Sequence, residues 1–341
     1  MTARSAIDIH THILTNETMK LLAGISPRVA PIMKDIGRDS AAVLEINGKV
    51  MQKPVPRGLW DVEWRLREMD ENDVGMQLLL PTTQTFYYEE EPELGAACAA
   101  LQNDQIAKTV SQHPDRFIGL GTLPMQAPEL AATELRRSMN KLALRGFEMG
   151  SNICSRNLDD PSLEPVWASA AELGAFIFIH PHNFSARERL QSYMQSNTVG
   201  LPFETTLAAT SLVFGGVLER HPTLKICLSH GGGYVPYQKG RFIHSWEVRQ
   251  EPRVNLKKSP EESFSKFYFD SIVHSKRTLE YLVDIAGYEH VLLGSDYPFD
   301  MGNLDCVRRV EEIDVAREQR DSILSTRARA LLKQPPLRAA D

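Results

Sequence analysis

Short apolar runs recur along this chain at intervals that few folds accommodate. They cover residues 6–9, 76–80, 117–123, 146–149, 176–179, 225–228, 267–269 and 291–293. Each is too short for a helix, and most of the segments between them carry helical periodicity. Residues 60–71 set Val62, Leu66 and Met69 on one face, and 94–112 is alanine-rich and closed by His113-Pro114. Residues 128–142 open on proline and run through Leu130, Leu135 and Met139, and 164–173, 205–219 and 277–286 repeat the pattern. Strand and helix alternating eight times predict a (β/α)8 barrel, an α/β fold whose strands are buried on both faces and so are apolar throughout. A doubly wound open sheet is the alternative, but no GxGxxG follows the first run to support it.

Two stretches break the rhythm. Residues 14–59 separate the first strand from its helix, and 182–201 follow the fifth strand, each far longer than the usual two to six residues. In a barrel both emerge at the C-terminal face of the strands, where long loops cover active sites. The expectation is one barrel domain over residues 1–333, with insertions at 14–59 and 182–201, and a frayed tail at 334–341 rich in proline, alanine and charge.

With 341 residues the core can be large, so stability requires neither disulfide nor structural metal. Cys98, Cys154, Cys227 and Cys306 form no CxxC pair, which suits reduced thiols in a cytoplasmic protein, and Cys227 reads as a small core residue. The net charge of −6 argues against nucleic acid and anionic membrane surfaces as partners. No apolar run is long enough to span a bilayer, and no apolar h-region follows residues 1–6 to make a signal peptide.

The residues that follow the predicted strands are the chemically informative ones. The first strand ends at Ile9-His10-Thr11-His12, the fifth at His180, the sixth at His230 and the eighth at Asp296. In a strand, residues i and i+2 share a face, so His10 and His12 aim two imidazoles at one point. In a barrel all five positions ring one mouth. Three imidazoles and a carboxylate suit a divalent metal such as zinc. Each has a plain structural reading too: His180 as a hydrogen-bonded core histidine, Asp296 as an Asx-turn residue in Gly-Ser-Asp-Tyr-Pro. Their joint placement at strand ends is what singles them out. His230 precedes Gly231-Gly232-Gly233, a run that lets backbone approach a ligand or simply makes a tight turn. Its functional reading is a general acid/base beside the metal. His113 and His221 precede prolines at helix ends; His244, His274 and His290 show no ligand spacing, and His182 lies where an insert begins. The cations Lys53, Arg57, Arg241 and Arg249 are candidates to bind a carboxylate.

These motifs resemble the amidohydrolase superfamily, and within it the decarboxylase branch. Asp-Ile-His-Thr-His, Ile-His-Pro, Leu-Ser-His-Gly-Gly-Gly and Leu-Leu-Gly-Ser-Asp-Tyr-Pro-Phe stand in the family's order, joined by Leu59-Trp60-Asp61 and Gly240-Arg241. Several sister decarboxylases carry Glu-x-His where this chain has His-x-His, so it sides with the group acting on 2-amino-3-carboxymuconate-6-semialdehyde. The resemblance implies non-oxidative loss of CO2 from a small unsaturated or aromatic carboxylic acid, with no nucleotide cofactor. It implies His10, His12, His180 and Asp296 as ligands of one zinc, Asp296 and His230 as the catalytic groups, and His230 as the base. Arg241 resembles an arginine that reaches across a homodimer to bind a substrate carboxylate, and Arg249 a second of that segment. Where the family has an arginine in the first insert, this chain has Lys53. Tyr193 and Asn197 fall near the place of paired tryptophans. The rival reading is a metal-dependent hydrolase or lactonase. A two-metal form needs a bridging ligand after the fourth strand; no lysine lies between Leu142 and Ser155, leaving Glu148 as a candidate, so one metal is expected.

Overall fold

The computed structural model describes residues 5–34, 42–184 and 187–334. The eight apolar runs form eight parallel strands, β1 (Ala6–Ile13), β2 (Val74–Pro81), β3 (Phe117–Gly119), β4 (Gly146–Gly150), β5 (Phe176–His180), β6 (Lys225–Leu228), β7 (Tyr268–Asp270) and β8 (Val291–Leu292). Ladder pairing joins β1 to β2 and β2 to β3, and runs unbroken from β4 to β8. Two seams close the barrel. Gly121 N–H donates to Gly146 O and Glu148 N–H to Gly121 O, linking β3 to β4. Ile9 N–H donates to Leu293 O and Asp296 N–H to His10 O at 2.9 Å, linking β1 to β8.

Alternation along the strands builds two apolar layers. Met76, Leu78, Leu80, Ile118, Phe176 and Phe178 fill the barrel, plugged by Ala328 and Leu331 of the last helix, Arg327–Leu331, and by Leu332 just after it. Leu79, Phe117, Phe147, Ile177 and Ile226 face outward against helical residues such as Leu135, Val166, Trp167 and Leu212. The helices start where their sequences cap them: Asp61 accepts from Trp64 N–H at the head of Val62–Glu71, Ser275 heads Lys276–Ala286, and Pro92 and Pro128 open two others. The segment expected as one helix over 205–219 is two, Leu201–Phe214 and Val217–Arg220, because Gly216 at φ 73° breaks it.

The inserts have more structure than their loop-like composition suggests. The first contains helix Asn16–Ile25 and an antiparallel sheet of Ile32–Lys34, Val43–Ile46 and Lys49–Gln52. Its small core, Leu14, Met19, Leu44, Val55 and Leu59, packs on Phe299 just beyond β8, so it covers the mouth of the barrel. The second passes through a π-helical turn, Ser196–Gly200, into Leu201–Phe214. The tail expected at 334–341 lies, beyond Gln334, outside the described residues. No helix among the described residues is long and apolar enough to cross a membrane.

Trp167 is 1% exposed and anchors the layer between strands and helices. Trp167→Ala should cost about 3–5 kcal/mol, measured as a lower urea midpoint at unchanged slope.

Candidate metal centre

Strand β1 is not a simple extended ribbon. Asp8 pairs with Gln77 and Thr11 with Leu79, three steps on β1 against two on β2, so a bulge lies between them. A bulge reverses which face later residues present. Ile7 and Ile9 therefore pack in the barrel interior while His10, the next residue, turns its ring into the same space, 4.7 Å from Phe178. The strand runs through His12 to Ile13, so both histidines belong to it instead of following it.

Five side chains converge at this mouth. Ligand atoms of His10, His180, His230 and Asp296 all lie within 4.8 Å of one another. His12 joins from the side: its Nε2 is 3.2 Å from His10 Nε2 and 3.3 Å from Asp296 Oδ1. His10 Nε2 stands 3.3 Å from the same oxygen, and His230 Nε2 3.5 Å from Asp296 Oδ2. His10 and His12 are fully buried, and His180 and Asp296 nearly so.

The far nitrogens decide what the near ones offer. His12 Nδ1 faces Pro81 O at 3.1 Å and His180 Nδ1 faces Pro181 O at 3.0 Å. A carbonyl only accepts, so these nitrogens carry the hydrogen and leave Nε2 a bare lone pair. His10 Nδ1 likewise donates to Asp270 Oδ2 at 2.7 Å. Three imidazole lone pairs and the carboxylate oxygen Asp296 Oδ1, buried without a hydrogen-bond partner, are thus gathered in one place. Such a set of acceptors fits a divalent cation, and nitrogen with carboxylate oxygen is a donor set that zinc and its neighbours take.

The charges respond to this crowding. Burial, with neighbouring imidazoles, lowers the pKa of His180 well below the ordinary value, and burial lowers His10 as well. Burial alone would raise Asp296, but His10, His12 and His230 outweigh it and hold it well below the carboxylate range. Burial alone would lower His230; the hydrogen bond and charge of Asp296 raise it instead. His230 and Asp296 both have left-handed backbone, φ 54° and 58°, a conformation uncommon for non-glycine residues and one that histidine and aspartate take more readily than most. Gly231, Gly232 and Gly233 continue it at φ 60–77°, and a Cβ on Gly233 would lie 2.2 Å from Pro202 O. The triple glycine serves both turn and close packing.

Two residues of this site were not singled out in the sequence. Asp270 ends β7, where the rule that polar residues follow strands would have found it. Besides His10, it accepts from the backbone N–H of His230 and Gly231, each at 2.8 Å, and so orients one histidine's ring and another's main chain. Arg65 had no such signal, being one charge among several on a helix. Glu148, the candidate bridging group, is fully buried, with Oε1 3.8 Å from His12 Nδ1, and does not join the cluster. His182 packs on Phe86 and Tyr88, away from it. Lys53, Arg241 and Arg249 are exposed and outside the cluster, and Arg249 pairs with Glu251 at 2.8 Å.

A cavity of about 270 Å³ opens beside His230 and Asp296, walled by Asn197, Leu201, Ile272 and His274. A larger cleft of about 810 Å³ between Lys276–Ala286 and Asp314–Gln319 contains none of these groups. The barrel, the strand-end histidines and the aspartate after β8 accord with a family model, described as Amidohydrolase, that matches residues 7–334. The chain belongs to the amidohydrolase family. It is 37% identical over 334 residues to 2-amino-3-carboxymuconate-6-semialdehyde decarboxylase of Dictyostelium discoideum, covering 97% of this chain and 92% of that protein. The Caenorhabditis elegans protein of the same name is 28% identical over 357 residues, covering 90% and 88%. Among solved structures, 5-carboxyvanillate decarboxylase of Sphingomonas paucimobilis superposes with a TM-score of 0.82 at 27% identity, covering 97% of this chain and all of that one.

Outer carboxylates that orient a metal-bound histidine typically contribute 10–100-fold in metal affinity. Asp270→Asn in this amidohydrolase should weaken divalent-metal binding by about that factor. Alanine at His10, His180 or Asp296 should leave the purified protein without metal, read by elemental analysis.

Proposed function

We propose that this protein is a metal-dependent, non-oxidative decarboxylase of a small unsaturated or aromatic carboxylic acid, such as 2-amino-3-carboxymuconate-6-semialdehyde or a related ring-cleavage product. The observation that carries the reading is the cluster of imidazole and carboxylate ligand atoms at the barrel mouth, in a chain 37% identical along 97% of its length to a decarboxylase. His10, His12, His180 and Asp296 hold one divalent ion, and their nitrogen-rich donor set favours zinc. When bound, such an ion supplies Lewis-acid polarisation of an oxygen and charge stabilisation.

The chain's own groups do the rest. As the bond to the carboxyl carbon breaks, its electron pair stays on the substrate carbon and CO2 leaves. His230 delivers a proton to that carbon, a role supported by its position: it borders the cavity, with its Nε2 3.5 Å from Asp296 Oδ2. Fixed positive charge aimed at the developing negative charge is a large catalytic term. Lys53 is an exposed cation of the first insert with no ion pair among the described residues. Arg57, the other candidate there, is held 2.8 Å from Asp61 and stacks over Trp64, which favours Lys53 for the substrate carboxylate. A lysine offers a compact point charge where an arginine would grip with a fork.

The remaining cations come from a second subunit. Helix Val235–Val248 buries only Val235 among its fourteen residues. Tyr237 is 77% exposed and Val248 59% exposed, and Arg241 on this helix is exposed with no ion pair among the described residues. Exposed Val199 lies within, and Phe203 just beyond, the segment whose Asn197 and Leu201 wall the cavity, and Tyr234 O–H donates to Val199 O. These exposed apolar residues support an interface here. In a homodimer the partner subunit's Arg241, with Arg249 of the same segment, reaches the substrate carboxylate across it.

Metal-loaded protein incubated with carboxylated semialdehydes and hydroxybenzoates should release CO2. Acid formation without loss of carbon would instead make it a hydrolase. His230→Ala should cut turnover by about 10²–10⁴-fold with metal retained; loss of metal would reassign His230 as a ligand, a reading its place among the four clustered residues also allows. Separately, inactive Arg241→Ala and His12→Ala subunits, mixed under conditions of demonstrated exchange, should regain partial activity. No rescue would mean a site built within one chain.

A further inference from the structure

We propose that Arg65 is a positioning residue of the metal centre, clamping the histidine-bearing end of β1, the turn at Gly58 and the segment after Asp296 into one unit. Arg65 lies on helix Val62–Glu71 and is fully buried, the only arginine or lysine so placed among the described residues. Its guanidinium spends its donors on β1, the turn at Gly58 and β2, and meets the segment after Asp296 by a ring contact. Nη2 donates to His12 O and, at 2.9 Å, to Gly58 O; Nε also points to Gly58 O at 3.2 Å. Nη1 donates to Gln77 Oε1 at 2.9 Å and to Thr11 Oγ1 at 3.2 Å. Its Cζ lies over the ring of Tyr297, 4.6 Å from its centroid.

The partners on β1, and Tyr297, bear on the cluster at one remove. Thr11 stands between His10 and His12, and the carbonyl gripped by Nη2 belongs to His12 itself. Tyr297 follows Asp296. Gly58 is pressed so closely on Tyr297 that a Cβ there would lie 1.8 Å from its hydroxyl oxygen. The tyrosine ring is thus held between the guanidinium and the first insert. An apolar side chain would fill the same volume without a buried cation, whose desolvation is costly. A planar fork, by contrast, fixes several acceptors in register at once, which a methyl-terminated chain or an ammonium does not. The placement therefore serves geometry more than burial, and it ties the insert that covers the mouth to the two segments that carry His12 and Asp296.

The test reads metal geometry apart from turnover. Full-length Arg65→Lys is purified metal-free, its Tm is measured, and it is titrated with Co2+ while the visible absorption of the bound ion is recorded. The expectation is Co2+ affinity about tenfold or more below wild type, with an altered absorption band, at a Tm near that of the metal-free wild type. With substrate, kcat falls more than KM rises. Wild-type Co2+ affinity and spectrum in the folded variant would overturn the proposal, as would a lowered Tm alone, since either outcome leaves only packing. If Arg65→Lys does not fold, Gln77→Met decides. That change removes an acceptor of Nη1 from β2 and should weaken Co2+ binding by about threefold, and an unchanged affinity would overturn the proposal. The inference rests on the metal-centre reading above and not on the substrate. If the wild-type protein released no CO2 from any acid, the decarboxylase reading would fail while the Co2+ measurements kept their meaning.

Discussion

The hydrogen bond from Asp296 N–H to His10 O is the join on which this molecule depends. With the bonds from Ile9 N–H to Leu293 O and from His12 N–H to Tyr297 O, it closes the barrel between the first strand and the loop after the last, bringing together residues 286 positions apart in the chain. Without that closure His10 and His12 would sit at one sheet edge and Asp296 at another. A parallel barrel has no free edge to satisfy, so the seam completes the backbone pairing and assembles the polar cluster in the same step.

Assembly alone would leave imidazoles free to rotate. Their direction comes from what the far ring nitrogens meet: Pro81 O, Pro181 O and the Asp270 carboxylate. Each partner consumes an Nδ1 hydrogen and turns a lone pair inward. Asp270 also grips the main chain of His230 and Gly231, so one carboxylate of β7 sets both a ring from β1 and a turn after β6. The bulge in β1 belongs to the same design. A regular strand would have sent His10 outward if Ile9 faced in, and the extra residue lets both occupy the interior.

Concentrating so many polar groups inside a barrel is costly, because buried charges lose their hydration. Asp8, Glu148, Asp270 and Arg65 are all fully buried beside or just behind the cluster. Burial pushes the Asp8 carboxyl up to about 7 in spite of its bonds from Ser295 and His10. Glu148 is driven well above the carboxylate range by burial and then by the nearness of Asp296. An ordinary core would have no use for this arrangement. It is the arrangement of a site in which a cation offsets the excess of acceptors, and the apolar layers of the barrel supply the stability that the site forgoes.

Much of this was legible in the chain. Strand length, apolarity and intervening helical periodicity are local properties, and all eight runs became barrel strands. The polar residues at their ends are local too, which is why His10, His12, His180, His230 and Asp296 could be named together. The sheet inside the first insert was not readable, because its strands are short, half-exposed and stabilised by packing on Phe299 from the far end of the chain. Nor was the bulge, which is a mismatch of register between two strands and exists only once they pair. Asp270 and Arg65 make the same point: the sequence shows an acid after an apolar run and a charge on a helix. Only the closed barrel turns them inward, where low polarity and fixed acceptors give each a geometry to enforce. Sequence determined which groups are available and roughly where; the tertiary structure decided which atoms of those groups face one another.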